Sequence, residues 1–587
     1  MVIAQHGGLQ YRDTATGTVQ QGRGFRSFKN LTGLTSGPIV LFDESTANAT
    51  FPTAVVSPMT NINLGAMSIQ NERFWVNGPS WELTHVPAGF SHSVLVVTGQ
   101  DGIRPTLQRW GEFLLTEHHT TRLHDPSLEY LGVNARAQYL HYHIDRRLHI
   151  AGLPRSAYRE AGCCRLCRSA LLGVFTDNGA FYDAGYWPSS KGNKDASKIF
   201  QNLSESYKAL NIPVHYIQLD DWWYGNKTAR DLTQSMIVVC TESFTPTTTS
   251  GLPPDANNPP LFPQGLKPLR EQFGGGLMLY MVNFCPDSQY FHSPTESVKS
   301  FPDENGRVFL NPTANSSEAV YGRLLDDGLT QGMTLFEIDF MEKNFESTAY
   351  YRDTPGAADG WLEGLSTAAL KRNLPTQLCS DSARDVLASV RLPAVTQFRG
   401  SLDYACDCDA EPYTGNWDVG QQSLLISSLG LGASKDTFMT NPVQDGINHQ
   451  QANNCTVNNG HVELDLFLAT LSSGPVGFGD GVGDTNRTLL MRCCTADGTI
   501  LRADSASTPV DSTWAQLKGA HRPPAESGRN GPIAAAAVWT AHTQRNGSAF
   551  HFVTAIDVPS SFVLQPTDFW PPVTMHALLS RELFLLM

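Results

Sequence analysis

The 587-residue chain has no run of eighteen apolar residues, so nothing in it reads as a bilayer-spanning helix. Positive charge is in deficit. Its 42 Lys and Arg face 56 Asp and Glu, a formal net charge of −14, which argues against nucleic acid or an anionic membrane as partner. The spaced Cys and His groups of a zinc site are missing. "GFGDGVGD" is glycine-rich but is followed by no lysine-bearing helix, so neither a phosphate loop, a metal nor any other cofactor is expected. The opening "MVIAQHGGLQYRD" lacks the apolar core of a signal peptide.

What is present describes a globular protein of about three domains. Hydrophobic residues make up 41% and charged ones 17%, enough apolar material for a large core. Fifty glycines, 35 prolines and 10% aromatics suggest many strands and turns, and a surface suited to carbohydrate. Eight Asn-x-Ser/Thr sites occur, at Asn30, Asn48, Asn202, Asn226, Asn315, Asn454, Asn486 and Asn546. Roughly four would arise by chance. The excess leans toward a secreted or lysosomal/vacuolar glycoprotein whose leader-encoding exon is missing from the sequence. The cysteine count, 11, is odd. The pairs Cys406/Cys408 and Cys493/Cys494 read either as disulfide partners of distant residues or as buried thiols.

Residues 133–173 stand apart, with seven arginines, no lysine and two acids in an otherwise acidic chain. A short echo, "LGV" at 131–133 and again at 172–174, brackets them. They are expected to be a poorly ordered insertion, such as retained intron sequence would leave. An ordinary basic surface helix is the other reading.

Short alternating runs such as "GPIVLFD" and "SHSVLVVTG" in the first 102 residues predict an N-terminal β-sandwich. A linking helix over "RPTLQRWGEFLLTEHH" completes a domain 1–132. Over 174–484 the pattern becomes that of buried parallel strands alternating with helices. The strand candidates are "LLGVFTD", "VHYIQLDD", "GLMLYMVNF", "TLFEIDFM", "PTQLCS", "AVTQFRGSLDY", "DTFMTNP" and "PVGFGDG". A (β/α)8 TIM barrel is the economical reading, within an α/β fold class. Short strands return over 485–587, a C-terminal β-sandwich that stops without a clear closing turn, as a truncated one would.

Catalytic groups of such a barrel sit where strands end. Acids recur there: Asp177 after the first strand, Asp220 and Asp221 after the second, Asp339 at the fourth, Asp403 after the sixth and Asp480 after the eighth. Paired carboxylates beside the flat rings of Trp222, Trp223 and Tyr224 are what a sugar pocket requires. Any one of these acids has a bland reading as a cap or loop former. Asp177, in "TDNGA", reads equally as a ligand or a turn former. Asp407, Asp409 and Asp418 lie close to Asp403 and compete with it. If the strand continues, Trp222 and Trp223 alternate in direction, and one of them belongs to the core.

Over about 172–515 these motifs together resemble glycoside hydrolase family 36, especially its raffinose synthase and seed-imbibition branch, and more distantly the family 27 α-galactosidases. "IQLDDWWYG" is similar to the family's second-strand signature, and "LFPQGLKPLREQFGGGLMLYMVNF" to its next helix and third strand. "TLFEIDFM" falls on its nucleophile strand, and "QFRGSLDY" on its Arg-x-x-x-Asp pattern. "LSSGPVGFGDGVGDTN" and the "TADGTILRADSASTPVDSTW" that follows resemble its closing tract. The resemblance implies that Asp339 is a nucleophile and Asp403 the general acid/base, with Arg399 holding sugar hydroxyls or orienting the acid. It implies that Asp220 and Asp221 bind hydroxyls while Trp222, Trp223 and Trp187 supply stacking faces. One departure stands out: where the family carries lysine two residues before the nucleophile, in contact with the sugar, this chain has Glu337. A second carboxylate there reverses the local charge, which puts galactose as the substrate sugar in question.

The sequence thus points to a retaining α-glycosidase, α-galactosidase-like, acting on oligosaccharides or glycoconjugates, with the Asp339 and Asp403 carboxyls about 5–6 Å apart. A raffinose-synthase-like transglycosylase shares the same intermediate and the same motifs. A non-catalytic carbohydrate-binding protein on a hydrolase scaffold is the other competitor.

Overall fold

The structure, a computed structural model, describes residues 9–12, 19–22, 33–35, 37–43, 51–65, 67–70, 73–75, 83, 85–128, 172–175, 196–220, 223–230, 237–246, 261–285, 288–291, 300–302, 308–310, 313–346, 348–379, 382–401, 419–444, 457–458, 461–516, 537–545, 548–556, 558 and 561–573. Eight short parallel strands make its central sheet: β1 Leu172–Phe175, β2 Val214–Leu219, β3 Gly276–Met281, β4 Leu335–Ile338, β5 Thr376–Leu378, β6 Val395–Arg399, β7 Gly432–Ser434 and β8 Val476–Phe478. Neighbours follow the order β7-β6-β5-β4-β3-β2-β1-β8, which sets Val476 of β8 opposite Leu172 of β1. Parallel bridges Ala433–Ser473 and Phe438–Phe478 join the flanks of β7 and β8. The sheet curls back toward itself, as in a TIM-like domain.

Alternation along each strand sorts its residues onto two faces. Ile217 and Leu219 of β2, Leu277 and Leu279 of β3, and Phe336 and Ile338 of β4 join the large outer core beneath the helices. Tyr216, Met278 and Leu335 turn the other way and form a small separate cluster. The expected helices lie between the strands, among them Ala196–Ala209 before β2, Ala314–Gln331 before β4, Ala357–Lys371 before β5 and Val462–Leu471 before β8. Ala314–Gln331 shows why these segments are helical. Thr313 caps its first turn by accepting from Ser316 N–H, Val320, Tyr321, Leu324 and Leu325 face inward, and Gly332 at φ 102° ends it. Each buried side chain of this kind contributes about 1.5–3 kcal/mol.

One strand is misplaced by the sequence reading: β7 is "GAS" at 432–434, upstream of the expected "DTFMTNP", whose Phe438 makes only a single bridge. β1 begins at Leu172; residues 133–171 lie outside the described set.

The N-terminal mouth of the sheet is plugged. Asp125 accepts from Thr396 Oγ1 (2.6 Å) and Gln397 Nε2 (2.9 Å), and Gln397 Nε2 also donates to Ser127 Oγ at 3.0 Å. With this end stopped, chemistry belongs at the other end.

Both flanks are antiparallel. Five strands within 9–75 form one N-terminal sheet, and Ile39–Phe42, Thr53–Pro58 and Val94–Gly99 form another. Thr508–Pro509, Ala537–Arg545 and Ser548–Ile556 form a C-terminal sheet. The linking helix Ile103–Glu117 ties the flanks together. Its first amides are capped from the far end of the chain, with Ile103 N–H donating to Asp511 Oδ2 at 2.7 Å and Arg104 N–H to Asp511 Oδ1 at 3.4 Å. Gly102 is required at this joint, since its φ is 115° and a Cβ would stand 2.2 Å from Asp511 Oδ2. Further along, Gly111 lets the helix approach closely, as a Cβ there would stand 1.8 Å from the Ser428 carbonyl oxygen.

Burial pushes the Asp511 carboxyl up from its ordinary 3.8 to about 6, against the pull of Arg104 and the two amides. The folded chain therefore holds this proton more tightly than the unfolded chain. The stability that goes with it is complete below about pH 4 and is lost as pH rises through about 6. Relative to Asp511→Asn, the wild type is expected to lose about 2 kcal/mol between pH 4 and pH 7, read from urea midpoints of both proteins. A difference that does not move with pH would show that Asp511 does not titrate in this range.

Candidate active site

The C-terminal ends of the strands bring charged residues into an interior that TIM barrels more often fill with branched apolar side chains. Asp220 closes β2, Asp339 follows β4, Arg399 ends β6 and Lys435 and Asp436 follow β7. All five are buried, at 6% exposure or less.

Asp339 is held on three sides. Its N–H donates to Met281 O on β3 (2.9 Å), Tyr280 Oη donates to its Oδ2 (2.7 Å), and Phe340 N–H donates to its Oδ1 (2.5 Å). Phe340 adopts φ 55°, left-handed backbone that a bulky residue enters only at a cost of about 1–3 kcal/mol. That turn swings the chain into helix Met341–Glu346, where Asn344 Nδ2 donates back to Asp339 O at 3.2 Å. One carboxyl oxygen is thus aligned by a phenol and the other by a backbone amide, a fixed acceptor at the mouth of a strand.

Beneath it lies a small polar cavity of about 10 Å³, room for about one water, lined by Gln218, Glu337, Gln377, Arg399, Ser434, Lys435 and Asp436. Glu337 accepts from Gln218 Nε2 (3.1 Å) and from Gln377 Nε2 (2.8 Å). Burial, then the charge of Asp339, pushes the Glu337 carboxyl up to about 7, while Gln218, Arg399 and Gln377 pull it down. Arg399 Nη1 lies 3.8 Å from Asp436 Oδ1, and Lys435 Nζ lies 3.5 Å from Asp465 Oδ1 on helix Val462–Leu471. Acids and bases alternate across the floor, from Glu337 through Arg399 to Asp436.

Of the residues singled out from the sequence, the structure gathers Asp339, Glu337 and Arg399 at this floor and buries Asp220 at the end of β2. Asp177, Trp187, Asp221, Trp222 and Asp403 lie outside the described residues, so the Asp339–Asp403 separation does too. Trp223 is a correction. It is fully buried, its ring 5.1 Å from Tyr224 and 5.6 Å from Phe244, and a ring with no open face stacks on no sugar. Asp480 has a structural task, accepting from Thr440 N–H (2.8 Å) and Thr440 Oγ1 (2.6 Å). Cys493 and Cys494 are buried free thiols, which settles that pair in favour of the thiol reading, while Cys406 and Cys408 lie outside the described residues.

Sequence reasoning missed Tyr280, Gln218, Gln377, Lys435 and Asp436. For three of them a signal existed: a polar residue in the middle of an apolar strand, as in "YIQL", "LMLYM" and "TQL".

No protein-family model matches the chain, and no curated protein sequence does. Its fold is similar to that of the GH36 α-galactosidase AgaA from Geobacillus stearothermophilus, with TM-score 0.46 and 12% identity over 92% of this chain and 64% of that one. The chain thus spans about two thirds or slightly less of that enzyme's length. TtGalA, an α-galactosidase from Thermus thermophilus solved with stachyose, gives TM-score 0.44 and 12% identity over 80% of this chain and 81% of that one. A GH27 β-L-arabinopyranosidase from Geobacillus stearothermophilus gives TM-score 0.40 and 12% identity over 66% and 84%.

Proposed function

We propose that the chain is a retaining α-glycosidase of the α-galactosidase-like type, acting on an oligosaccharide or glycoconjugate by double displacement. The observation that carries this reading is the setting of Asp339: a buried strand-end carboxylate with both oxygens aligned by Tyr280 and Phe340, above a floor of alternating charge. One oxygen attacks the anomeric carbon as the glycosidic bond breaks, and Asp403, placed by the sequence after β6, protonates the departing oxygen. A glycosyl ester on Asp339 results. Asp403, now a base, draws a proton from water, which attacks the same carbon and restores the carboxylate with net retention. Arg399, buried beside Asp436, faces the same cavity and offers donors to sugar hydroxyls or to the acid. Asp220 accepts from hydroxyls at the other wall.

Passage through an oxidising compartment belongs to the same proposal. Cys285 is disulfide-bonded, and the glycosylation-type residues Asn202, Asn315 and Asn486 are all exposed. So does the reading of the two antiparallel flanks as β-sandwiches.

The test is hydrolysis of a panel of aryl α-glycosides by the intact chain, with the anomer of the first-formed sugar read by proton NMR. Release of the α-anomer from at least one sugar is expected. Release of the β-anomer would overturn the retaining mechanism, and binding without turnover across the panel would overturn the glycosidase assignment.

A further inference from the structure

Two carboxyl groups share the inward face of β4, and the mechanism above uses one. Glu337 stands two residues before Asp339, 2% exposed, one strand step deeper in the sheet. Every element around it turns a polar group toward it. Gln218 comes from β2, with Asp220 a step above, and Tyr280 is its register partner on β3. Gln377 comes from β5, Arg399 from β6, and Ser434, Lys435 and Asp436 from the end of β7. Both Glu337 oxygens are turned to glutamine amides set in the wall, away from the mouth where a sugar would enter.

We propose that Glu337 is a positioning residue that acts through Asp339: once ionised, it sets a second negative charge beneath the nucleophile, strengthens its attack and steadies the positive charge that builds on the sugar, without touching the sugar. This rests on the reading of Asp339 as the nucleophile. Glu337 and Asp339 follow each other on one face of β4, both buried, where an added charge is felt far more strongly than in water. In so close a pair the protons leave in two steps that belong to both groups. Burial, then the charge of Asp339, puts the Glu337 proton near 7. The glutamines serve either form. Gln377 Oε1 makes no hydrogen bond among the described residues, so a turn of that amide lets it accept from a protonated Glu337 or from an amide put in its place.

The experiment compares wild type, Glu337→Gln and Asp339→Asn as intact chains. One arm measures kcat and KM on an aryl α-glycoside across pH, and the other follows ¹³C-labelled carboxyl groups by NMR without substrate. Wild-type kcat/KM is expected to climb about tenfold between about pH 6 and about pH 8. Glu337→Gln should match the wild type below about pH 6, lack that climb and keep KM within about twofold. The NMR arm should show one carboxyl titrating late in wild type, absent in Glu337→Gln and moved to lower pH in Asp339→Asn. A Glu337→Gln protein with KM raised about tenfold and the climb intact would make Glu337 a sugar ligand and overturn the proposal. So would a late titration that Asp339→Asn leaves in place. Coupled titration in a protein with no turnover would instead overturn the glycosidase reading on which the proposal stands.

Discussion

Asp339→Ala is expected to lower kcat/KM on an aryl α-glycoside by about 10⁴-fold or more, which is about 5.5 kcal/mol of transition-state stabilisation. The loss is large because a covalent route disappears, leaving water to attack directly with no ester intermediate. Alanine also strips the acceptor from Tyr280 Oη, a group at 3% residue exposure, and from Phe340 N–H. Stranding such donors costs about 1–3 kcal/mol of stability, so a misfolded variant could imitate a dead one. Asp339→Asn separates the two effects, since its amide oxygen still accepts while its nucleophilicity is gone. Both variants should lose turnover, and the asparagine form should unfold near the wild-type midpoint. Azide should rescue the alanine form and yield the β-glycosyl azide, because the small anion enters the space on the nucleophile's side. Retention of more than a tenth of wild-type activity in a folded Asp339→Ala protein would remove Asp339 from the mechanism.

The second large effect lies far from the site. Arg104→Ala is expected to destabilise the chain by about 3–5 kcal/mol while leaving KM unchanged in whatever protein stays folded. The Arg104 guanidinium is buried and donates to Thr508 O (3.2 Å), Pro509 O (3.2 Å) and Thr540 Oγ1 (2.9 Å), all in the C-terminal sheet. Removing it leaves two carbonyls without this donor and takes the nearest counter-charge from buried Asp511, whose carboxyl Arg104 holds down. Arg104→Met, which keeps the stem's packing, should recover about 1–2 kcal/mol of that loss, the share owed to apolar contact. Urea unfolding of the three proteins checks the order. An alanine variant as stable as wild type would mean that water replaces the guanidinium without penalty.

The strands of the sheet were legible in the sequence, with the exception of β7. β2, β3 and β4 are built of "VHYIQL", "GLMLYM" and "LFEI", runs whose apolar content and length leave little choice. β7 is Gly-Ala-Ser, residues of poor strand propensity held in place by neighbours on both sides, whereas Thr-Phe-Met-Thr at 437–440 has the β-branched and apolar content that strands favour. Putting the strand four residues late turned Lys435 from a residue at a strand's exit into one before its entry and made Asp436 the strand's first residue, and so hid part of the floor. Tyr280 reads as core because it is an aromatic in an apolar run. Only the register that sets it opposite Glu337 reveals it as a donor to Asp339. Trp223 failed in the opposite sense, since proximity in sequence to Asp220 suggested a shared pocket while the backbone turned its ring into the core.

The cap on the linking helix has a consequence for how the protein is made. Ile103 and the carboxylate that caps it are 408 residues apart. At ribosomal rates of about 5–20 residues per second, Asp511 follows Ile103 by about 20–80 s. Throughout that interval the helix is without its cap and Arg104 has none of its C-terminal partners. β1 likewise waits for β8, since Leu172 pairs with Val476. The nascent N-terminal half emerges with its joints open, exposed to chaperones and proteases, and a transcript that stops short of codon 511 yields a chain whose earliest-made helix never gains its native cap.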